Sequence, residues 1–131
     1  MTQVVSDNLL AAHPALAELA PARLEQLAAQ LEERSFRIGQ PLCHRDLVPR
    51  EVLLILEGEA RVLVQEQGRT VTLCKLGPGD WVGLASFLRV KGCEEVAAAS
   101  ELRAAALTDV HLLELLQEEP RFRAWCSAQL W

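Results

Sequence analysis

The run "VLLILE", Val52 to Glu57, constrains this chain more than any other stretch of it. Its apolar part, Val52 to Leu56, is the longest in the sequence and far too short to cross a bilayer. Read as a strand it has no polar face, so both of its faces need cover. Gly58 then interrupts, and "EARVLVQE" alternates Ala60, Val62 and Val64 with Glu59, Arg61 and Gln65. After the short turn "EQG", with Gly68, the run "RTVTLCKL" alternates again. From Phe36 to Asp80 short β runs follow one another, separated by Gly, Pro and charged residues. That density of strands and turn signals predicts a sandwich or barrel rather than crossover units.

Helices are expected on both sides of this region. Ser6 or Asp7 can cap a first helix that ends before Pro14, since the residue preceding a proline avoids helical angles. Pro21 suits the first turn of a second, whose Leu24, Leu27, Ala28 and Leu31 fall on one face opposite Arg23, Glu25, Gln26, Gln30 and Glu32. Beyond the roll, "EEVAAAS" and "LRAAALT" read as two strands in spite of alanine's poor strand preference, so tertiary context must override it. Thr108 or Asp109 then caps "VHLLELLQEE", and Pro120 opens "PRFRAWCSAQLW". The 131 residues suit one domain: helices over 1–34, strands over 35–108, helices over 109–131. The last helix runs to Trp131 without a stop signal, so the sequence reads as a piece of a longer chain.

Composition narrows the function classes. A net charge of −5 with no basic cluster argues against nucleic acid, whose affinity comes mainly from neutralised phosphates. No charged-then-apolar signal opens the chain and no run inserts into a membrane, so a cytoplasmic location is expected. Cys43, Cys74, Cys93 and Cys126 are scattered without metal-type spacing and are expected to be reduced, mostly packed as small hydrophobes. "CHRD", Cys43 to Asp46, suggests a nucleophile or metal site, but neighbours on a strand face opposite ways. His44 stands alone in the strand region, and His13 and His111 are placed in helices. No enzyme is expected.

One stretch invites a ligand. "KLGPGDWVGLASFLRVKGC", Lys75 to Cys93, crowds Gly77, Pro78, Gly79 and Gly83 ahead of a short apolar run with Arg89 and Lys91 beyond it. Glycines there permit close backbone approach to an anion, although Gly77 and Gly79 also read as plain turn glycines. Ser86 can donate to a bound phosphate or be satisfied within its own helical turn, and Trp81 can cover a ligand or the roll itself. Cys93 invites the reading of a redox-sensitive thiol at the pocket, but carboxylates at Glu94 and Glu95 would disfavour a thiolate, which argues for an inert residue.

Taken in order, "LLAAHPALAELAPARLEQLAAQLEERSFRIGQPLCHR", "LLILEGEARVLV" and "LGPGDWVG" resemble the cyclic nucleotide-binding domain family over nearly the whole chain. The resemblance implies a mainly β fold with flanking helices: an antiparallel β-roll of jelly-roll type, with a phosphate-cassette-like segment at 77–92. It implies cyclic AMP or cyclic GMP as the ligand, since no cofactor is otherwise indicated. In that family the cassette reads roughly Phe-Gly-Glu-Leu/Ala, with an arginine some residues later. The glutamate takes the ribose 2′-hydroxyl and the arginine the cyclic phosphate. Here Gly83 matches the glycine, Leu84 stands at the glutamate, and Gly92 or Cys93 stands at the arginine. Gly83, Leu84, Ala85, Ser86, Arg89, Lys91 and Cys93 are therefore the candidate pocket. Two lost hydrogen bonds to charged groups, at ~1.5–3 kcal/mol each, cost roughly two to four decades in affinity. Lys91 and Arg89 replace the bidentate partner only as point charges.

The expectation is a non-enzymatic regulatory module with a degenerate cassette. The variant "VGLASFLR…GCEEVAAAS" also resembles the degenerate domain that some cyanobacterial ABC-type exporters carry. The competing expectation is a working cyclic nucleotide receptor. Phe122, Trp125, Leu130 and Trp131 are the candidate contact with a downstream domain or a second copy.

Overall fold

The computed structural model describes residue 10, residues 13–89 and residues 95–128. Helix α1 (Pro21–Gln30) starts on its proline and buries Leu24, Leu27 and Ala28. It ends sooner than residue 34. Leu31 is already extended, and β1 (Glu32–Phe36) pairs residue by residue with β8 (Leu102–Thr108). The apolar period stops at Leu31, and Arg34, bonded to Glu32 and Glu51 at 3.0 Å each, ties the new strand into the sheet. The anticipated first helix lies outside the described residues. Residues 13–19 form successive tight turns that bury Ala15, Leu16 and Leu19.

Among the described residues the strands make two antiparallel four-stranded sheets. One runs β1–β8–β3–β6, with β3 (Glu51–Glu57) and β6 (Trp81–Val82). The other runs β2–β7–β4–β5, with β2 (Pro41–Cys43), β4 (Ala60–Glu66), β5 (Arg69–Leu76) and β7 (Val96–Ala98). The fold is the expected mainly β roll with flanking helices. Of the connections that cross between the sheets, those at 37–40, 58–59 and 99–101 are cross-bonded to one another. Gly58 is required there, because at φ +92° a Cβ would sit 2.3 Å from the Glu101 carbonyl oxygen.

The apolar parity of β3 has a structural meaning. Val52 and Leu54 join a core under the helices, while Leu53 and Ile55 point into the roll. Strand β8 splits likewise, Ala105 and Leu107 against Ala104 and Ala106. Both faces are covered, and that burial overrides the weak strand preference of alanine. The β4–β5 hairpin closes on Gln67 and Gly68, both at positive φ, as a two-residue type I′ turn demands. Strand β5 departs from expectation: it is a sheet edge, mostly exposed on both faces, and a bulge at Leu73 leaves that side chain 55 % exposed. Its Cys74 is exposed, whereas Cys43 and Cys126 are buried; Cys93 is outside the described residues.

The Thr108 hydroxyl accepts from the His111 N–H and caps α3 (Asp109–Glu118); α4 (Pro120–Ala128) follows after Glu119. No helix among the described residues is long and apolar enough to cross a membrane.

Candidate cassette site

The site starts as a turn. Pro78 and Gly79 occupy its corner, with Gly79 at φ +92°, where a type II turn favours glycine. Asp80 closes it twice: its carboxylate accepts the Gly77 N–H at 2.8 Å, and its own N–H donates to the Gly77 carbonyl at 3.0 Å. The turn is pinned to β3 by Gly79 N–H to the Ile55 carbonyl, 2.9 Å, and Ile55 N–H to the Asp80 carbonyl, 3.0 Å. Trp81 and Val82 then pair with Leu54 and Leu53.

Gly83 follows, buried and at φ +89°. A Cβ would lie 3.2 Å from Pro49 Cγ and 3.6 Å from the Glu51 carbonyl oxygen. Backbone conformation and packing against the 44–50 loop thus both favour glycine here. Its carbonyl accepts from Phe87 N–H at 3.0 Å, opening the six-residue helix α2 (Leu84–Arg89). Leu84 is 6 % exposed and belongs to the helix-side core; Ala85 is buried and Ser86 fully so. Phe87 and Leu88 pack on the same core. Lys91 and Cys93, like the Arg89 side chain, fall outside the described residues. Glu95, where the chain is again described, faces Arg45 at 3.9 Å, and its carbonyl accepts the Leu63 N–H.

The expected contact surface on α4 divides. Phe122 is fully buried beside Trp81, with ring centroids 6.3 Å apart, so it serves this chain's own core rather than a partner. Trp125 is partly buried and packs on that core; Leu130 and Trp131 lie outside the described residues. Burial pushes the Cys126 thiol up to about 12, which keeps it neutral.

Cys43 is buried at the end of β2, while His44 is exposed in the loop that follows. Among the described residues no group of three His, Cys, Asp or Glu side chains is placed to hold a metal. A separate groove of about 420 Å³ lies at the crossover end, lined by Phe36, Arg37, Gln40, Glu57, Glu101 and Arg103 among others. Glu57 and then Glu33, through their hydrogen bonds, raise the pKa of Arg103 there.

Sequence reasoning missed His13 and Pro49. His13 sits in the 13–19 turns rather than a helix, and its Nε2 lies 2.9 Å from the Gly79 carbonyl. Neither residue matches a motif, because each acts on the cassette across more than thirty positions of sequence.

Solved structures of the same shape put this geometry in context. The catabolite activator protein of Thermus thermophilus superposes with a TM-score of 0.75 at 23% identity, covering 88% of this chain and 55% of that one. A regulatory subunit of a cAMP-independent protein kinase A from Trypanosoma cruzi, bound to guanosine, gives 0.71 at 23%, covering 90% and 47%. A protein of Geobacter metallireducens assigned provisionally to cyclic nucleotide binding gives 0.76 at 21%, covering 95% and 92%. The chain thus spans about half the length of the first two. No curated protein is similar enough in sequence to count as a relative. The sequence itself matches the cyclic nucleotide-binding domain over residues 33–119, well over half of its length, and with the roll, the pinned Gly77–Asp80 turn and the glycine-led helix in place, the chain belongs to the cyclic nucleotide-binding domain family.

Proposed function

We propose that this chain is a non-enzymatic regulatory module whose cassette has lost its grip on cyclic nucleotides. Domains of this family are typically non-catalytic regulators. The observation that carries the reading is Leu84. At the position where the family resemblance expects a ribose-binding carboxylate, an apolar side chain is buried in the helix-side core. Nothing at that position accepts from a sugar hydroxyl, and with Gly92 or Cys93 at the arginine position the cyclic phosphate loses its bidentate partner. A partner or another small ligand then supplies the bias that a cyclic nucleotide supplies elsewhere. The solved structures named above are an activator, a kinase subunit and a nucleotide-binding protein rather than exporters, so the proposal stops at a regulator of a larger assembly.

The receptor reading has one observation in its favour. Gly83 keeps the left-handed conformation and the tight packing that bring backbone close at the start of α2; in this reading the charge comes from Arg89 or Lys91 of the sequence. Calorimetry with cyclic AMP and cyclic GMP at high protein concentration separates the two. Silence into the millimolar range is the expected result, and saturable heat below ~100 μM establishes the receptor instead. Guanosine belongs in the same series, because a fold relative described as cAMP-independent is bound to it.

A further inference from the structure

Three parts of the molecule meet on one imidazole. His13 Nδ1 accepts the Ala15 N–H at 3.1 Å, so the ring proton sits on Nε2, which donates to the Gly79 carbonyl at 2.9 Å. Gly79 is in turn held to β3 through its own N–H. The ring also stands edge-on to Trp81, at 5.9 Å and 79°, and to Trp125 of α4, at 5.4 Å and 72°. Trp81 meets Phe122 of α4 in the same manner. A polar tie between the 13–19 turns and α4, Glu18 to Arg121, is exposed on both sides and screened by solvent.

We propose that His13 is a joint that makes the cassette turn and α4 move as one unit. An aliphatic residue at this place would fill the space, yet it would hold neither the Gly79 carbonyl nor the Ala15 amide. With the imidazole in place, a displacement of Gly79–Gly83 must either carry the ring against Trp125 or break a hydrogen bond. A shift of α4 acts on the turn by the same route. Residues 13–19 are therefore the coupling between the candidate site and the closing helix. The inference deepens the regulatory reading by naming its transmission, but the coupling is a property of the unliganded chain and can fail or stand independently of any nucleotide.

Amide hydrogen exchange on the whole chain, without ligand, tests it. Loss of one net hydrogen bond with an edge-on ring pair corresponds to about a tenfold change in a local opening equilibrium. His13→Ala is expected to speed exchange by that factor in 77–83 and in 120–128 together, with β3 and β8 unchanged. His13→Gln, whose amide N–H can reach the Gly79 carbonyl, is expected to restore protection of the turn; His13→Asn, a substitute for Nδ1 alone, is not. Faster exchange confined to 13–19, or spread uniformly through β3 and β8, overturns the joint. If His13→Ala does not fold, Trp125→Leu serves instead: faster exchange at 77–80 supports the coupling, and an unchanged turn refutes it.

Discussion

The sheet that contains β3 and β8 has two faces packed on different terms. Toward the helices it meets long side chains: Leu16, Leu24, Leu27, Leu112, Leu115 and Phe122, which span the gap between helix and strand. Toward the roll it meets mostly alanine and valine of the opposite sheet, including Ala60, Val62, Val96 and Ala98. Inside the roll the two sheets are tied by connections that cross between them, cross-bonded at 37–40, 58–59 and 99–101, and small side chains fill the space between. On the helix side only side-chain packing and a few polar ties hold the elements in place. The cassette helix and α4 lie on that second side, against the Trp81 side chain, and these helices can shift without breaking a ladder. Rearrangement in a domain of this shape is therefore expected on the helix side rather than inside the roll.

The strongest attack on the comparison is Phe122→Ala. Fully buried on the helix side, it is expected to cost about 3–5 kcal/mol, read from denaturant unfolding. A loss under ~1 kcal/mol would mean that the helices merely rest on the sheet. Next comes Gly58→Ala at the crossover end. The left-handed φ and the 2.3 Å approach to the Glu101 carbonyl predict a loss of about 1–3 kcal/mol or more. Gly68→Ala has the same sign of φ but open space around it, and should be measurably milder.

A neighbouring pair sharpens the contrast directly. Ala104 and Ala105 are both fully buried on β8 but face opposite cores. Overpacking by Ala→Val is expected to cost about 1–3 kcal/mol, more at Ala104, since sheets cannot part while helices can adjust. Equal thermal shifts in the two variants would falsify the claim that the helix side yields more easily.

Cys126 gives a pH test of helix-side burial. Its thiol is raised from 9.0 to about 12 in the folded chain, so the unfolded state releases the proton first. This contribution is flat below pH 9 and falls as pH rises from about 9 to 12. Cys126→Ala should lessen that alkaline loss, and in the native protein a thiol reagent should label Cys74 while sparing Cys43 and Cys126. The smallest effect is expected from Arg103→Ala. Its ion pairs with Glu33 and Glu57 are solvated, and a melting experiment should register about 0.2–1 kcal/mol, diminished by salt.

Much of this was legible in the residue pattern. The parity of "VLLILE" announced a strand with two covered faces, the Thr108 cap and Pro120 marked the closing helices, and "LGPGDWVG" marked the cassette turn. These are local features, written in side-chain period, capping chemistry and glycine conformation. β5 misled because alternation signals a buried face only if another layer covers it, and none does at this edge. Phe122 misled because an aromatic near a chain end looks the same whether it faces solvent or Trp81.

The elements, the roll and the presence of a leucine directly after Gly83 could all be read from the chain alone, since each depends on residues close together in it. The burial of Leu84 in the helix-side core, the crowding of Gly83 by Pro49 and the contacts of His13 with the Gly79 turn and Trp125 emerged from packing. Those are contacts between distant segments, and their geometry is set by how sheets and helices pack, which no local pattern encodes.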